Sequence, residues 1–313
     1  IIAPQPGESV YDPACGSGGM LIEAVHYMHN STLCCGRLFG QEKNVTNAAI
    51  SRMNLFLHGA SDFTIMQGDT LRDPRIVQNG KLAQFDCVIA NPPFSLDKWG
   101  AEVWESERFG RNIWGVPQPS NGDYAWIQHM ICSMKPQSGR AAVVFPQGVL
   151  FRDKKEYEMR KQLIMSDKLE CVITLANNLF YGAGIPACLL IFRNRKPENK
   201  VGKVLLIDAS NIYTPKRAQN ELSNDDIDAI YKLYSGYKDV EGTAKVVTVR
   251  DMEEKDYTLS VNRYIERKVV KVKPYTEVKQ EFLSAYQSVK NAESRFVKLL
   301  AQSGYINDQG NVK

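Results

Sequence analysis

The chain has 313 residues, 43% of them hydrophobic and 24% charged, with a formal net charge of +4, enough apolar content for one large domain or one domain with an appendage. So mild a basic excess permits contact with a polyanion without arguing for it, and the lack of any apolar run of about eighteen residues excludes a helical membrane span. Seven cysteines, with no C-x-x-C pair and one adjacent couple at Cys34 and Cys35, fit neither a disulfide framework nor a zinc ribbon and point to a reducing, cytoplasmic setting.

The opening, Ile1-Ile2-Ala3-Pro4, has neither an initiator Met nor a basic stretch followed by an apolar one, so we expect no signal peptide and a natural N-terminal portion that is left out. From Val10 to Arg193, short β-branched runs alternate with helical patterns, the rhythm of a parallel sheet covered on both faces by helices. Strands are predicted at Ser9 to Tyr11, Arg37 to Gln41, Phe63 to Gln67, Cys87 to Ala90, Ala141 to Phe145, Leu169 to Leu175 and Cys188 to Arg193. Apolar residues at steps of three and four predict helices over Gly19 to Met28, Val45 to His58, Tyr124 to Met134 and Lys154 to Ser166. Residues 95–122 are rich in Trp, Gly and charge and read as a long loop.

A strand at Val204 to Asp208 and a helix around Asp225 to Tyr234 carry the body to about Tyr264. The predicted domain is therefore 1–264, followed by a basic linker and a final helix over 265–313. In that helix Val278, Phe282, Ala285, Val289, Ala292, Phe296 and Leu299 alternate steps of four and three, the seam of a heptad repeat. The spacing leaves open a helix packed on its own domain and a helix docked on a partner's coiled coil.

Two constellations carry chemistry. The first is Asp12-Pro13-Ala14-Cys15-Gly16-Ser17-Gly18-Gly19, an acid at a strand end, a glycine turn and a helix start. The glycines let the backbone approach a ligand and adopt positive φ, and a helix N-terminus favours a carboxylate. Asp12 would attract an ammonium. That pair suits the zwitterionic end of S-adenosylmethionine and not a pyrophosphate. Glu42 follows the second strand, where an acid accepts ribose hydroxyls, and Asp69, in Asp69-Thr70-Leu71 after the third, is placed to receive an adenine amino group. Each acid alone is more often a cap or a turn residue; their order at three successive strand ends is more specific.

The second constellation is Asn91-Pro92-Pro93-Phe94, closing the strand Cys87 to Ala90. Neither proline nitrogen can donate, so the Asn91 side-chain oxygen and the Pro92 carbonyl can both accept from one NH₂ group. Accepting both hydrogens of an exocyclic amine draws its lone pair out of the ring and makes it a better nucleophile. Phe94 offers a stacking face for a base flipped out of a duplex.

With these residues in hand, the chain resembles the modification (methyltransferase) subunit of type I restriction-modification systems. Asp12 to Gly19, Gly40 to Asn44 with Met53 to Gly59, and Asn91 to Phe94 look like the family's successive motifs. Further matching blocks are Gly122 to Trp126, Gly139 to Val144, Asn178 to Gly182, Asp256-Tyr257 and Asn262 to Tyr264. The resemblance implies a Rossmann-like, S-adenosylmethionine-dependent fold and methylation of the N6 amine of adenine in DNA. It also implies assembly with a specificity subunit, a second modification subunit and a restriction subunit. The final helix becomes a docking element for the specificity subunit. A helical N-terminal domain with an aromatic-Thr-Pro motif, which precedes the cofactor loop in that family, has no counterpart in this sequence.

Other features carry less. No Pro-Cys dipeptide supports covalent attack on cytosine, Ser95-x-x-Lys98 has no companion motif, and His26, His29, His58 and His129 show no zinc-ligand grouping, so no metal is expected. Arg263, Arg267, Lys268, Lys271 and Lys273 are expected to be a solvated linker more than a phosphate contact. Trp99, Trp104, Phe109 and Trp114 could close over a base, line DNA or pack the loop down. Methylation of an RNA guanine or of a protein glutamine uses the same turn and is the alternative chemistry; a catalytically silent assembly piece is the alternative class.

Overall fold

A computed structural model describes residues 1–29, 36–180, 185–266 and 274–305, in two compact units, Ile1–Arg267 and Lys268–Lys313. In chain order the first unit runs β1 (Ser9–Asp12), α1 (Gly19–His29), β2 (Arg37–Glu42), α2 (Val45–Leu57), β3 (Phe63–Gln67), a small hairpin of β4 (Val77–Gln78) and β5 (Lys81–Leu82), and β6 (Cys87–Ala90). It continues with α3 (Ala101–Trp104), α4 (Asp123–Cys132), β7 (Arg140–Pro146), α5 (Lys155–Met165), β8 (Leu169–Leu175), β9 (Ala187–Arg193), β10 (Lys203–Ala209), α6 (Asn224–Gly236), β11 (Ala244–Thr248) and α7 (Val249–Glu253).

The nine-stranded sheet has the order β11-β10-β8-β9-β7-β6-β1-β2-β3. Its strands are apolar on both faces because both are covered: all seven residues of β8 are buried, and alternation sends Val10 to one core layer and Tyr11 to the other. Leu21, Val25 and Met28 of α1 pack in the layer of Val10, while Tyr124, Ile127 and Ile131 of α4 pack in that of Tyr11. Each layer therefore takes one apolar helix face and one sheet face.

Two expectations need correcting. The sheet is not wholly parallel, since β9 runs antiparallel to both β7 and β8, and β11 antiparallel to β10. The chain between Leu175 and Ala187 is shorter than the dozen or so residues that a helical crossover needs, so β9 turns back between its neighbours. The long stretch 95–122 is also not structureless. It contains α3, and Trp99 and Trp104 are fully buried, which decides among the roles left open for them in favour of packing the segment down.

The winding reverses at β1, which pairs in parallel with β2 on one side and β6 on the other. A crevice opens outside the carboxyl ends of the strands at such a reversal. The second unit contains α8 (Tyr275–Gln302), 28 residues with none buried. Cys34, Cys35, Tyr181, Gly182, Arg267, Lys268, Lys271, Lys273 and the side chain of His29, all named above, lie outside the described residues.

Candidate active site

At the end of β1 the Asp12 side chain turns back on its own loop, Oδ1 accepting the Ala14 N–H at 2.9 Å. Asp12 is 2% exposed, and among the described residues no cationic side chain pairs with it. Burial, helped by repulsion from Glu42 and opposed by the Ala14 N–H, pushes its carboxyl up to about 7. A buried carboxyl with no cationic side chain beside it suits an ammonium group.

The turn that follows is shaped by two glycines with positive φ, Gly16 at 53° and Gly18 at 87°. A Cβ at Gly16 or Gly19 would meet open space, whereas one at Gly18 would lie 2.7 Å from Ser51 Oγ. Gly16 and Gly19 thus leave room for a ligand, and Gly18 lets α2 approach the loop. Beneath the turn Cys15 is buried against Gly40, where a Cβ would come within 2.9 Å of its sulfur, and burial pushes its thiol up to about 12. Cys15 is a packing residue with an inert thiol. Ser17 is exposed and its carbonyl accepts from Asn54 Nδ2 at 2.9 Å. The first N–H groups of α1, which no helical carbonyl can satisfy, follow directly and suit a carboxylate.

The loops after β2 and β3 close on this turn. Glu42 accepts the Gly16 N–H at 3.0 Å and the Asn44 N–H at 2.7 Å, and the Thr70 hydroxyl donates to the Pro13 carbonyl at 2.6 Å. Glu42 and Thr70 are thus brought against the loop that Asp12 opens. Asp69 stands at the rim, 2.9 Å from Lys43 Nζ and 3.8 Å from Arg72 Nε, so its charge is already balanced. Leu71 is fully buried and offers only its backbone.

β6 ends beside β1, with Tyr11 opposite Val88, and carries Asn91 out of the sheet on the next strand over from Asp12. Asn91 and Pro93 are exposed, Pro92 is buried and Phe94 half-buried. The turn is anchored at Ser95, which has φ of 50° and donates its N–H to Asp123 Oδ1 at 2.8 Å. Asp123 is fully buried, and Arg152 Nη1 neutralises it at 2.9 Å while also reaching Glu156 at 3.1 Å. In the sequence Asp123 stands only within a family block, because its role as anchor depends on Arg152, 29 residues away. Among the described residues no group of three or more His, Cys, Asp and Glu side chains could hold a metal ion.

The sequence matches the N-6 DNA methylase family over residues 1–272. The chain belongs to the N-6 DNA methylase family. Among curated relatives it is 35% identical over 267 residues to the type I restriction enzyme MjaVII methylase subunit of Methanocaldococcus jannaschii, covering 82% of this chain and 45% of that one. It is 31% identical over 276 residues to the HindI methylase subunit of Haemophilus influenzae, covering 85% and 60%. A solved type I restriction-modification methyltransferase subunit from Streptococcus thermophilus superposes with a TM-score of 0.77 at 30% identity, over 83% of this chain and 55% of that chain. The chain thus spans about half the length of the first relatives it matches. Membership accounts for the mixed α/β methyltransferase sheet and implies S-adenosylmethionine as the methyl donor.

Proposed function

We propose that this chain is the cofactor-binding and catalytic part of a DNA adenine methyltransferase, the modification subunit of a type I restriction-modification complex. The observation that carries the reading is the pairing of a buried, cation-seeking Asp12 with the exposed Asn91-Pro92-Pro93-Phe94 turn at the ends of adjacent parallel strands. Bound in the crevice, S-adenosylmethionine supplies an electrophilic methyl group on a sulfonium. Asp12 takes its ammonium, Ala14 to Gly19 line its methionine part, Glu42 accepts from the ribose and Asp69-Thr70-Leu71 face the adenine. The Asn91 side chain and the Pro92 carbonyl accept from the N6 amine of the target adenine, Pro93 stiffens the turn, and Phe94 stacks on the base. The target must be flipped out of the duplex, at a cost of a few kcal/mol. The N6–methyl bond would form as the sulfonium–methyl bond breaks, the demethylated thioether would leave, and the displaced N6 proton would pass to water, since Asn91 and Pro92 accept from the amine without taking a proton; the group whose protonation governs cofactor binding is Asp12.

In the same reading the complex works on DNA in the cytoplasm. α8 docks the chain on the specificity subunit, a second modification subunit completes the methyltransferase, and a restriction subunit joins it. The described residues contain no helix able to cross a membrane. The test is methyl incorporation from labelled S-adenosylmethionine into cognate DNA by the complex. Asn91→Ala should lower the rate on the order of 10²–10³-fold with cofactor affinity unchanged within about threefold. A variant rate equal to that of the parent, or label found in RNA or in protein glutamine instead of DNA, would refute the reading.

A further inference from the structure

Residues 95–122 run from the Asn91 turn to α4, and they are fixed on two sides. On the α4 side Asp123 accepts from Ser95, Gln128 Oε1 accepts the Trp114 N–H at 2.7 Å, and the Gln128 amide donates to the Gly115 carbonyl at 3.1 Å. His129 Nδ1 lies 3.2 Å from Arg111 Nη1. Asp123, Gln128 and His129 are all fully buried. On the other side the segment grips the loop after β3. Trp104 Nε1 donates to the Leu71 carbonyl at 2.7 Å, and Arg111 donates to the carbonyls of Thr70 at 2.8 Å and Leu71 at 3.0 Å.

Arg111 is the centre of this arrangement. It is 1% exposed, pairs with Glu107 at 2.9 Å and lies over the Trp104 ring at 4.8 Å. A guanidinium has five donors in a rigid fork, and here they meet one carboxylate, two successive carbonyls and a histidine. Because peptide units are planar, holding the Thr70 and Leu71 carbonyls fixes the two peptide planes between Thr70 and Arg72, directly after Asp69. With Arg111 donating to Nδ1, His129 carries its proton on Nε2, 3.1 Å from the Tyr11 hydroxyl. Tyr11 precedes Asp12. Burial and the neighbouring guanidinium keep His129 neutral, so this path holds one tautomer. A buried ion pair is a poor source of net stability against an apolar replacement; what this one supplies is orientation.

We propose that Arg111 is a positioning residue that sets the Asp69–Leu71 loop in register with Asp12 and the Asn91 turn, and so determines how the site tells adenine from other bases in its cofactor. The inference rests on the reading of these loops as the S-adenosylmethionine site. It makes residues 95–122 a fixed wall of that site instead of a lid over the target base.

The experiment compares calorimetric affinities for S-adenosylhomocysteine and S-inosylhomocysteine, whose purines differ in the 6-amino against 6-oxo group and in the proton that the oxo form carries on N1, for the parent chain, Arg111→Met, Arg111→Lys and Trp104→Phe. Preference for adenine in the parent should fall about tenfold in Arg111→Met and less in Arg111→Lys. Trp104→Phe keeps an aromatic ring but loses the Nε1 donor to Leu71 and part of the buried indole, and should show an intermediate loss, which keeps the test valid if Arg111→Met fails to fold. A general loss of stability would weaken both ligands and leave their ratio alone. An unchanged ratio in the folded variants overturns the inference while the cofactor reading stands; binding by the parent without preference overturns the adenine assignment of Asp69–Leu71 and this inference with it; no binding of either ligand by the parent overturns the cofactor reading itself.

Discussion

Asp12 is a carboxyl held where a charge is costly. Its folded-state value, pushed up to about 7 from an ordinary 3.8, means that the folded chain binds a proton more tightly than the unfolded one. The sign follows from linkage: stability is fully present below about pH 4 and falls as pH rises towards 7, where the fold must carry a buried, unpaired anion. Asp12→Asn keeps an acceptor for the Ala14 N–H and removes the charge. It should be more stable than the parent above pH 7, on the order of 2–4 kcal/mol, with the gap closing near pH 4; urea unfolding at the two pH values checks this. The same acid must ionise to hold an ammonium, so S-adenosylmethionine affinity should rise between pH 6 and 8 in the parent, a rise that Asp12→Asn cannot show because its binding is lost. The acids at the strand ends were legible because each follows an apolar run with a turn behind it. What their spacing did not carry is which of them is free: Asp69 is balanced by Lys43 and Arg72 and Glu42 is engaged by Gly16, contacts that only the fold creates.

At the level of elements, the loop that holds Asp12 sits on β2 through Gly40, where a Cβ would lie 2.7 Å from Ile65 Cδ1 and 2.9 Å from Cys15 Sγ. Gly40→Ala should therefore cost about 1–3 kcal/mol of stability and weaken the cofactor site by lifting the loop; a parent-like midpoint in urea together with parent-like affinity would contradict that packing. Strand ends came out of the sequence within a residue or so in β6 and β8, which are buried on both faces, and also in the edge strand β3, where only Ile65 is buried, because a mainly apolar run bounded by Gly, Asn or Asp admits little else. β11 was missed because Ala244–Thr248 has exposed Lys245 and Thr248 and reads as a loop. The antiparallel direction of β9 was available in the short link before it, and the alternating rhythm of the chain masked it. Residues 95–122 read as a loop because their order comes from buried polar pairs at Asp123, Gln128 and His129 and not from apolar periodicity.

On the scale of the whole molecule, α8 is about 42 Å long and keeps its apolar seam exposed, with Phe282 at 66%, Val289 at 64% and Phe296 at 62%. On the proposed reading this seam is the face that docks on the specificity subunit. Replacing Val289 and Phe296 together by Glu should leave the unfolding midpoint of the first unit unchanged and weaken association with the specificity subunit at least about 100-fold, given ~1.5–3 kcal/mol for each apolar side chain buried. Unaltered association on size-exclusion or calorimetric analysis would place the interface elsewhere. The central claim, that the carboxyl edge around β1 and β6 is a methyl-transfer site, meets its most direct test in calorimetric titration of this 313-residue chain with S-adenosylmethionine at pH 8, beside Asp12→Asn. The account predicts saturable one-to-one binding by the parent, lost in the folded variant; equal binding by both, or none by the parent, would contradict it.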